Sequence, residues 1–272
     1  MMDWTDRKDR AKEVKSRAKK PNHEHGFCRI IGCRFPARAG TSDGLDLKYC
    51  RAHADRLQRH GSPIKDSYSA ALLNPYRRAA VEWLMANPDD PWVKGAVKAV
   101  RGLYGRAGQH VEAFRLRGLS PEDRAKAAWA RLRKDDIDPC LPVAAWVAVE
   151  MAIRADLQPD LKPEFRRVQA AKLVHRMASG SHRRWENGFA VLGGQDKAKM
   201  RLSNELHVYP KSRGRVLRWI GADLEKAVEL LVDHRLDSIE AFTKQRIDEP
   251  SPTVRPHPRG VSVRKRTARG AA

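Results

Sequence analysis

The sequence predicts a mainly α-helical protein with a small module at its amino end and a β-hairpin near residues 187–210, which would give the helical part a winged-helix-like outline. Three observations lead there. Helix-start signals recur ahead of apolar stretches, at Asn74-Pro75, Asp90-Pro91, Ser120-Pro121-Glu122-Asp123, Asp138-Pro139 and Pro163. Apolar residues then return at helical spacing. Strand-like material is confined to two short apolar runs, Phe189 to Leu192 and Leu206 to Tyr209, on either side of Gly193-Gly194.

Taken in order, residues 3–20 alternate acids and bases with almost no apolar face, which fits a solvated helix and a disordered leader equally well. From Asn74-Pro75 a helix carries Ala79, Val81, Trp83 and Leu84 inward and stops at Asn87-Pro88. Asp90-Pro91 starts a second, expected to run to about Gly118, with glycines at 102, 105 and 108 that permit close packing or a break near Gly105 to Gly108. Ser120-Pro121 opens a helix through Ala125, Ala128, Trp129 and Leu132.

The helix after Asp138-Pro139 is apolar nearly all round, through Val143, Trp146, Val147, Val149, Met151 and Ile153, so it should be the central buried one. Asp135, Asp136 and Asp138 read as helix-start residues rather than metal ligands. The helix from Pro163 turns Phe165, Val168, Leu173, Val174 and Met177 inward, and Arg166, Arg167, Lys172 and Arg176 outward. After Gly214 comes a long amphipathic helix that Gly221 would interrupt, with LDSIEAFTKQR as a last one. The segments divide as a basic arm (1–26), the small module (27–63), a helical basic domain (74–247) and a basic tail (248–272) expected to be disordered.

Composition narrows the partner. With 272 residues and 41% hydrophobic content the chain can build a real core outside the module, while 54 Lys and Arg against 33 acids leave a net charge of +21 and a pI near 10.3. A polyanion is the natural complement. No run reaches the roughly 18 apolar residues of a spanning helix, since Leu141 to Val149 is broken by Glu150. The start MMDWTDRKDRAKEVKSRAKK has no apolar segment of the kind a secretory signal needs. Four cysteines, three of them in the module and Cys140 alone, suit a reducing, cytoplasmic setting.

The module, FCRIIGCRFPARAGTSDGLDLKYCRAHADRLQRHGSP, is where residue spacing implies chemistry. Four residues lie between Cys28 and Cys33, sixteen between Cys33 and Cys50, and two between Cys50 and His53. Three thiolates and one imidazole complete a tetrahedral shell for zinc, closed to water and therefore structural. Cys28 and Cys33 would form a knuckle around Gly32, while Cys50 and His53 would share one helical face, with Gly61 and Pro63 ending that helix. So little apolar content requires metal binding, about 10–16 kcal/mol in zinc-finger peptides, to drive folding. His23, His25 and His60 stand near enough in sequence to be alternative ligands, and read first as surface residues.

Cys28, Cys33, Cys50, His53, Arg56, Gly61 and Pro63, with His60 before Gly61, resemble a short zinc finger that recurs in phage and mobile-element proteins, including HNH-type endonucleases. The likeness covers under a fifth of the chain and departs from the family at Gly44, which lies further from Cys50 than usual. It implies nucleic-acid work on a mobile element, in the cytoplasm or nucleoid of a bacterial host.

The basic face is sought between Lys162 and Arg218, where fourteen Lys and Arg meet four acids. Candidate phosphate contacts are Arg51, Arg56 and Arg59 in the module, Arg166, Arg167, Arg176, Arg183, Arg184, Lys211, Arg213 and Arg215 beyond it, and in the tail Arg255, Arg259, Arg264, Lys265, Arg266 and Arg269. Trp185 would suit base stacking, although it and Trp219 read first as core residues. The leading expectation is a non-catalytic, zinc-containing nucleic-acid-binding protein, with double-stranded DNA ahead of RNA. An HNH-type metal-dependent endonuclease is the alternative, its nearest material being His182, Asn187, Asn204 and His207. A zinc-finger adaptor for a protein partner is the third.

Overall fold

The computed structural model describes residues 8–9, 11–13, 15–16, 26–37, 39–41, 44–191, 199–210 and 214–248. Residues 8–9, 11–13 and 15–16 are helical and exposed. Then follow strands β1 (Ala39–Thr41) and β2 (Gly44–Asp46), and helices α1 (Arg51–His60), α2 (Ala70–Ala86) and α3 (Pro91–Arg106). A 3-10 helix (Ala113–Gly118) leads to α4 (Pro121–Lys134), α5 (Cys140–Ala155) and α6 (Pro163–His175), and strands β3 (Ser181–Val191) and β4 (Lys199–Val208) precede α7 (Arg215–Asp248). The fold is mainly α, with β1–β2 and β3–β4 each forming a two-stranded antiparallel sheet. Among the described residues no helix is long and apolar enough to cross a membrane.

The core is built around α5, where every residue from Pro142 to Ile153 is buried, as the all-round apolar sequence requires. Helices α2, α3, α6 and α7 surround it. Several of its turns are alanine, which lets these neighbours approach closely. Helix α7 spans 34 residues, about 51 Å at 1.5 Å per residue. It lays Leu217, Ile220, Leu224, Val228, Leu231, Leu236 and Ile239 along the bundle as one buried stripe.

Several start signals act as the sequence implies. Asp90 accepts from the amides of Trp92 and Val93, Ser120 from Asp123, and Asp138 from Cys140. Three expectations are corrected. Helix α2 begins at Ala70, capped by Ser69 on the Leu72 amide, so Pro75 lies inside the helix and Asn74 caps nothing. The earlier start brings Leu73 into the core, at the cost of the one helical bond that Pro75 has no N–H to make. Helix α3 stops at Arg106 instead of continuing to Gly118, and the chain re-forms as the 3-10 turn.

The third correction concerns Gly221, which interrupts nothing. Helix α7 is continuous through it because the glycine lies against α6, where a Cβ would come 2.5 Å from the Arg167 carbonyl oxygen. Its missing side chain sets the distance between the two helices.

The hairpin between α6 and α7 is present and longer than expected. Its apolar runs do not face each other: Phe189 pairs with Arg201, and Leu206 with Arg183. Trp185 sits opposite Asn204, and the register shifts between Glu186 and Phe189. Pairing is therefore set by hairpin geometry rather than by apolar matching. At its base the Ser181 hydroxyl accepts a 2.7 Å bond from the Ala113 amide, tying the hairpin to the 3-10 turn.

Candidate metal centre

The first ligand pair lies on a tight knuckle. The Cys28 amide donates to the Phe35 carbonyl at 2.9 Å, and the Cys33 amide returns to Ile30 at 3.0 Å. Burial opposes ionisation of the Cys28 thiol, but the backbone amides of Cys50 and Ile30 directed at its sulfur hold its pKa below the ordinary value. The stretch containing Gly44, where the sequence departs from the finger pattern, enters β2, after which the Asp46 carboxylate accepts from the amides of Lys48 and Tyr49 at 2.8 and 3.1 Å. That turn delivers Cys50 to the N-cap of α1, with His53 one turn further on.

These elements bring Cys28, Cys33, Cys50 and His53 together, their ligand atoms all within 4.8 Å of one another, close enough to hold a metal ion. Cys33 and Cys50 sulfurs are 3.8 Å apart, and His53 Nδ1 lies 3.4 Å from the Cys28 sulfur and 3.2 Å from that of Cys50. Two sulfurs on a tetrahedral ion with 2.3 Å bonds would be about 3.8 Å apart. None of the three cysteines is in a disulfide. The donor set and its spacing fit a metal held by protein ligands alone, and Nδ1 is the imidazole atom turned toward the sulfurs.

His60 is not among them. Its Nδ1 accepts from the Ser67 amide at 3.0 Å and contacts the Ser67 hydroxyl at 2.9 Å, while Lys172 Nζ donates to that hydroxyl at 2.6 Å. Burial, then the positive charge of Lys172, lowers the His60 pKa. Burial likewise brings Lys172 down to about 8. Neither Ser67 nor Lys172 stands out in the sequence, because only the fold brings residues so far apart together. His23 and His25 lie outside the described residues.

The module is joined firmly to the helical domain. The last carbonyls of α1 are bonded by side chains and backbone beyond it, Leu57 O in addition to its 2.9 Å bond from the Gly61 amide. Arg218 donates to Leu57 O at 3.0 Å, the Gly214 amide to Gln58 O at 3.3 Å, and Gln169 to His60 O at 2.8 Å. Gly61 ends the helix at φ 78°, and Ser62 and Pro63 are buried behind it. Lys65 forms an ion pair with Asp156, which also accepts a 2.7 Å bond from the Tyr68 hydroxyl. His60 and Gly61 thus form the joint with α6.

The predicted phosphate contacts divide. Arg166 and Arg167, expected to point outward, lie instead in helix interfaces: Arg166 Nε is 3.0 Å from the buried Glu150, and Arg167 Nε is 2.6 Å from Glu225. Arg56 is engaged by Asp66 through two bonds of 3.1 and 2.6 Å. Arg51 lies 4.0 Å from Asp55, and Arg184 3.7 Å from Glu205. Arg59, Arg176 and Arg215 are exposed. The backbone of Arg183 is in β3, but its side chain, together with Lys211, Arg213 and the tail cations, lies outside what is described. Trp185 and Trp219, read as core, are each 44% exposed.

On the hairpin, His182 and His207 pair directly across the strands, ring centroids 5.5 Å apart, and His182 Nε2 is 3.5 Å from Glu205. Asn204 pairs instead with Trp185. Being three residues from His207 on one strand, it points to the opposite face. The side chain of Asn187 lies outside the described residues. Among the described residues the Cys28, Cys33, Cys50 and His53 group is the one cluster of ligand-type side chains whose atoms converge.

Comparisons with protein-family models, with curated proteins and with solved structures gave no match.

Proposed function

We propose that the chain is a zinc-containing nucleic-acid-binding protein of a phage or mobile element, directed at double-stranded DNA, in which the metal is structural. The reading rests above all on the convergence of three sulfurs and one imidazole at tetrahedral spacing, in a module whose helix exposes Arg51 and Arg59. Zinc suits that donor set, since soft thiolates with one imidazole and no place for water describe a closed structural site. In this role Cys50 and His53 fix the start of α1, Cys28 and Cys33 fix the knuckle, and α1 then holds its arginines in a set direction. Arg59, Arg176 and the hairpin cation Arg184 would supply phosphate contacts, supported by the net charge of +21.

The test is binding of the zinc-loaded full chain to a duplex DNA as salt is varied. Log affinity should fall linearly with log salt, at about 0.9 per phosphate contact. A flat response would remove the nucleic-acid reading. Nicking of plasmid in magnesium or manganese that is lost on His182→Ala or His207→Ala would replace it with the endonuclease.

A further inference from the structure

The outer end of the metal knuckle carries a group of apolar side chains that the fold leaves uncovered. Phe27 is 73% exposed, Phe35 68%, Ile31 fully, and Leu47 on the neighbouring turn 62%. Single exposed apolar residues are ordinary, but a cluster within one small loop marks a contact surface. The loop is not free to turn these side chains inward. Cys28 and Cys33 are committed to the metal cluster, the Cys28 amide is bonded to the Phe35 carbonyl, and the Arg29 amide to the Lys48 carbonyl at 2.9 Å. The knuckle therefore holds two exposed phenyl rings on a fixed backbone, Phe27 and Phe35 lying one register step apart and so on opposite faces of the Phe27–Pro36 pairing.

Their surroundings point to a polyanion. Arg29, Arg34 and Lys48, all exposed, alternate with the apolar residues along the chain. Within residues 26–37 and 44–50 the one acid is Asp46, whose carboxylate is occupied by the amides of Lys48 and Tyr49. Exposed aromatics interleaved with arginines combine a stacking surface for bases with charge for the flanking phosphates. A protein partner would match this charge only if its own surface were acidic, whereas every nucleic acid supplies both bases and phosphates.

We propose that this tip is a base-contacting surface: Phe27 and Phe35 stack on unpaired bases of a bound nucleic acid, with Arg29 and Arg34 on the adjoining phosphates. The inference builds on the nucleic-acid reading above and adds to it a preference for a gap, bulge or unpaired end over uninterrupted duplex.

The test uses zinc-loaded full-length protein with two DNA probes, a continuous duplex and the same duplex carrying a short single-stranded gap with 2-aminopurine in it. The native protein should bind the gapped probe more tightly, by about 5- to 150-fold for each stacked base, and should change the 2-aminopurine fluorescence. Phe27→Leu/Phe35→Leu keeps the apolar volume and should lose both effects, while its affinity for continuous duplex and its salt slope stay unchanged. Phe27→Tyr/Phe35→Tyr keeps the rings and should restore them. Equal binding of both probes by the native protein, or a Leu pair that discriminates as well as the native chain, overturns the tip proposal and leaves duplex binding standing. Failure of the native protein to bind either probe in a salt-dependent way overturns both, and loss of binding to anionic vesicles in the Leu pair would reassign the tip to a lipid surface.

Discussion

The side-chain amide of Gln169, on α6, donates a 2.8 Å hydrogen bond to the carbonyl of His60 at the end of α1. This bond, with those from Arg218 and Gly214 to Leu57 and Gln58, caps α1, the helix that carries Cys50 and His53, from outside its own module. The direction in which α1 presents its arginines is therefore set at both ends, by Cys50 and His53 at one and by the helical domain at the other.

Gly61 is the tightest point of that joint. Its φ is 78°, and a Cβ would lie 2.7 Å from Glu164 O and 2.8 Å from the Phe165 Cα. Both the left-handed conformation and the contact with backbone oppose a side chain, so Gly61→Ala should destabilise the protein by about 2–4 kcal/mol. Gly105→Ala, in α3 with open space around it, should be neutral or stabilising by up to about 1 kcal/mol. Thermal unfolding of the two variants measures the contrast.

The arginines separate by role. Glu150 is 5% exposed on α5, and burial raises its pKa against the opposing charge of Arg166. Arg166→Ala leaves that carboxylate buried without its partner and should cost about 3 kcal/mol in denaturant unfolding. Arg59→Ala combined with Arg176→Ala removes exposed charge alone. It should leave unfolding unchanged and reduce the salt slope of DNA binding by about 2.

How much of this was legible in the sequence depends on how far apart the interacting residues lie. The convergence of Cys28, Cys33, Cys50 and His53 was readable because the chemistry of a metal site fixes both residue type and spacing. The starts of α3, α4 and α5 were readable because a cap acts on amides two or three residues away, and that of α6 because Pro163 suits the first helical position. Arg166 and Arg167 were misplaced because their partners, Glu150 and Glu225, are distant in sequence and meet them only when helices pack. Gly221 was misread for the same reason: its absent side chain accommodates Arg167, whereas nothing in its own stretch distinguishes close packing from a break. The cap at Ser69 is not legible beside Asn74-Pro75, since a start five residues earlier makes the proline tolerable only if Leu73 gains a core to enter.

His175 supplies a pH dependence. It is 5% exposed, and burial, followed by the charges of Arg131, Arg176 and Arg124, depresses its pKa from 6.5 to about 3. The unfolded chain takes up a proton near pH 6.5 and the folded chain does so only near 3. Between those values the unfolded state binds more protons, so this group makes stability fall as pH falls through that window, by about 3–5 kcal/mol in all. His175→Gln should flatten the acid limb of the stability profile by that amount. Comparing both proteins in a Cys50→Ser background removes the separate effect of proton competition for the metal ligands.

The central claim is that Cys28, Cys33, Cys50 and His53 close around one metal ion and thereby organise the basic module. Elemental analysis of protein purified without chelators tests it most directly. One zinc per chain, absent from Cys50→Ser while most of the helical circular dichroism of α2 to α7 remains, is the predicted result. A native protein with no stoichiometric metal, folded as well as before, would contradict it.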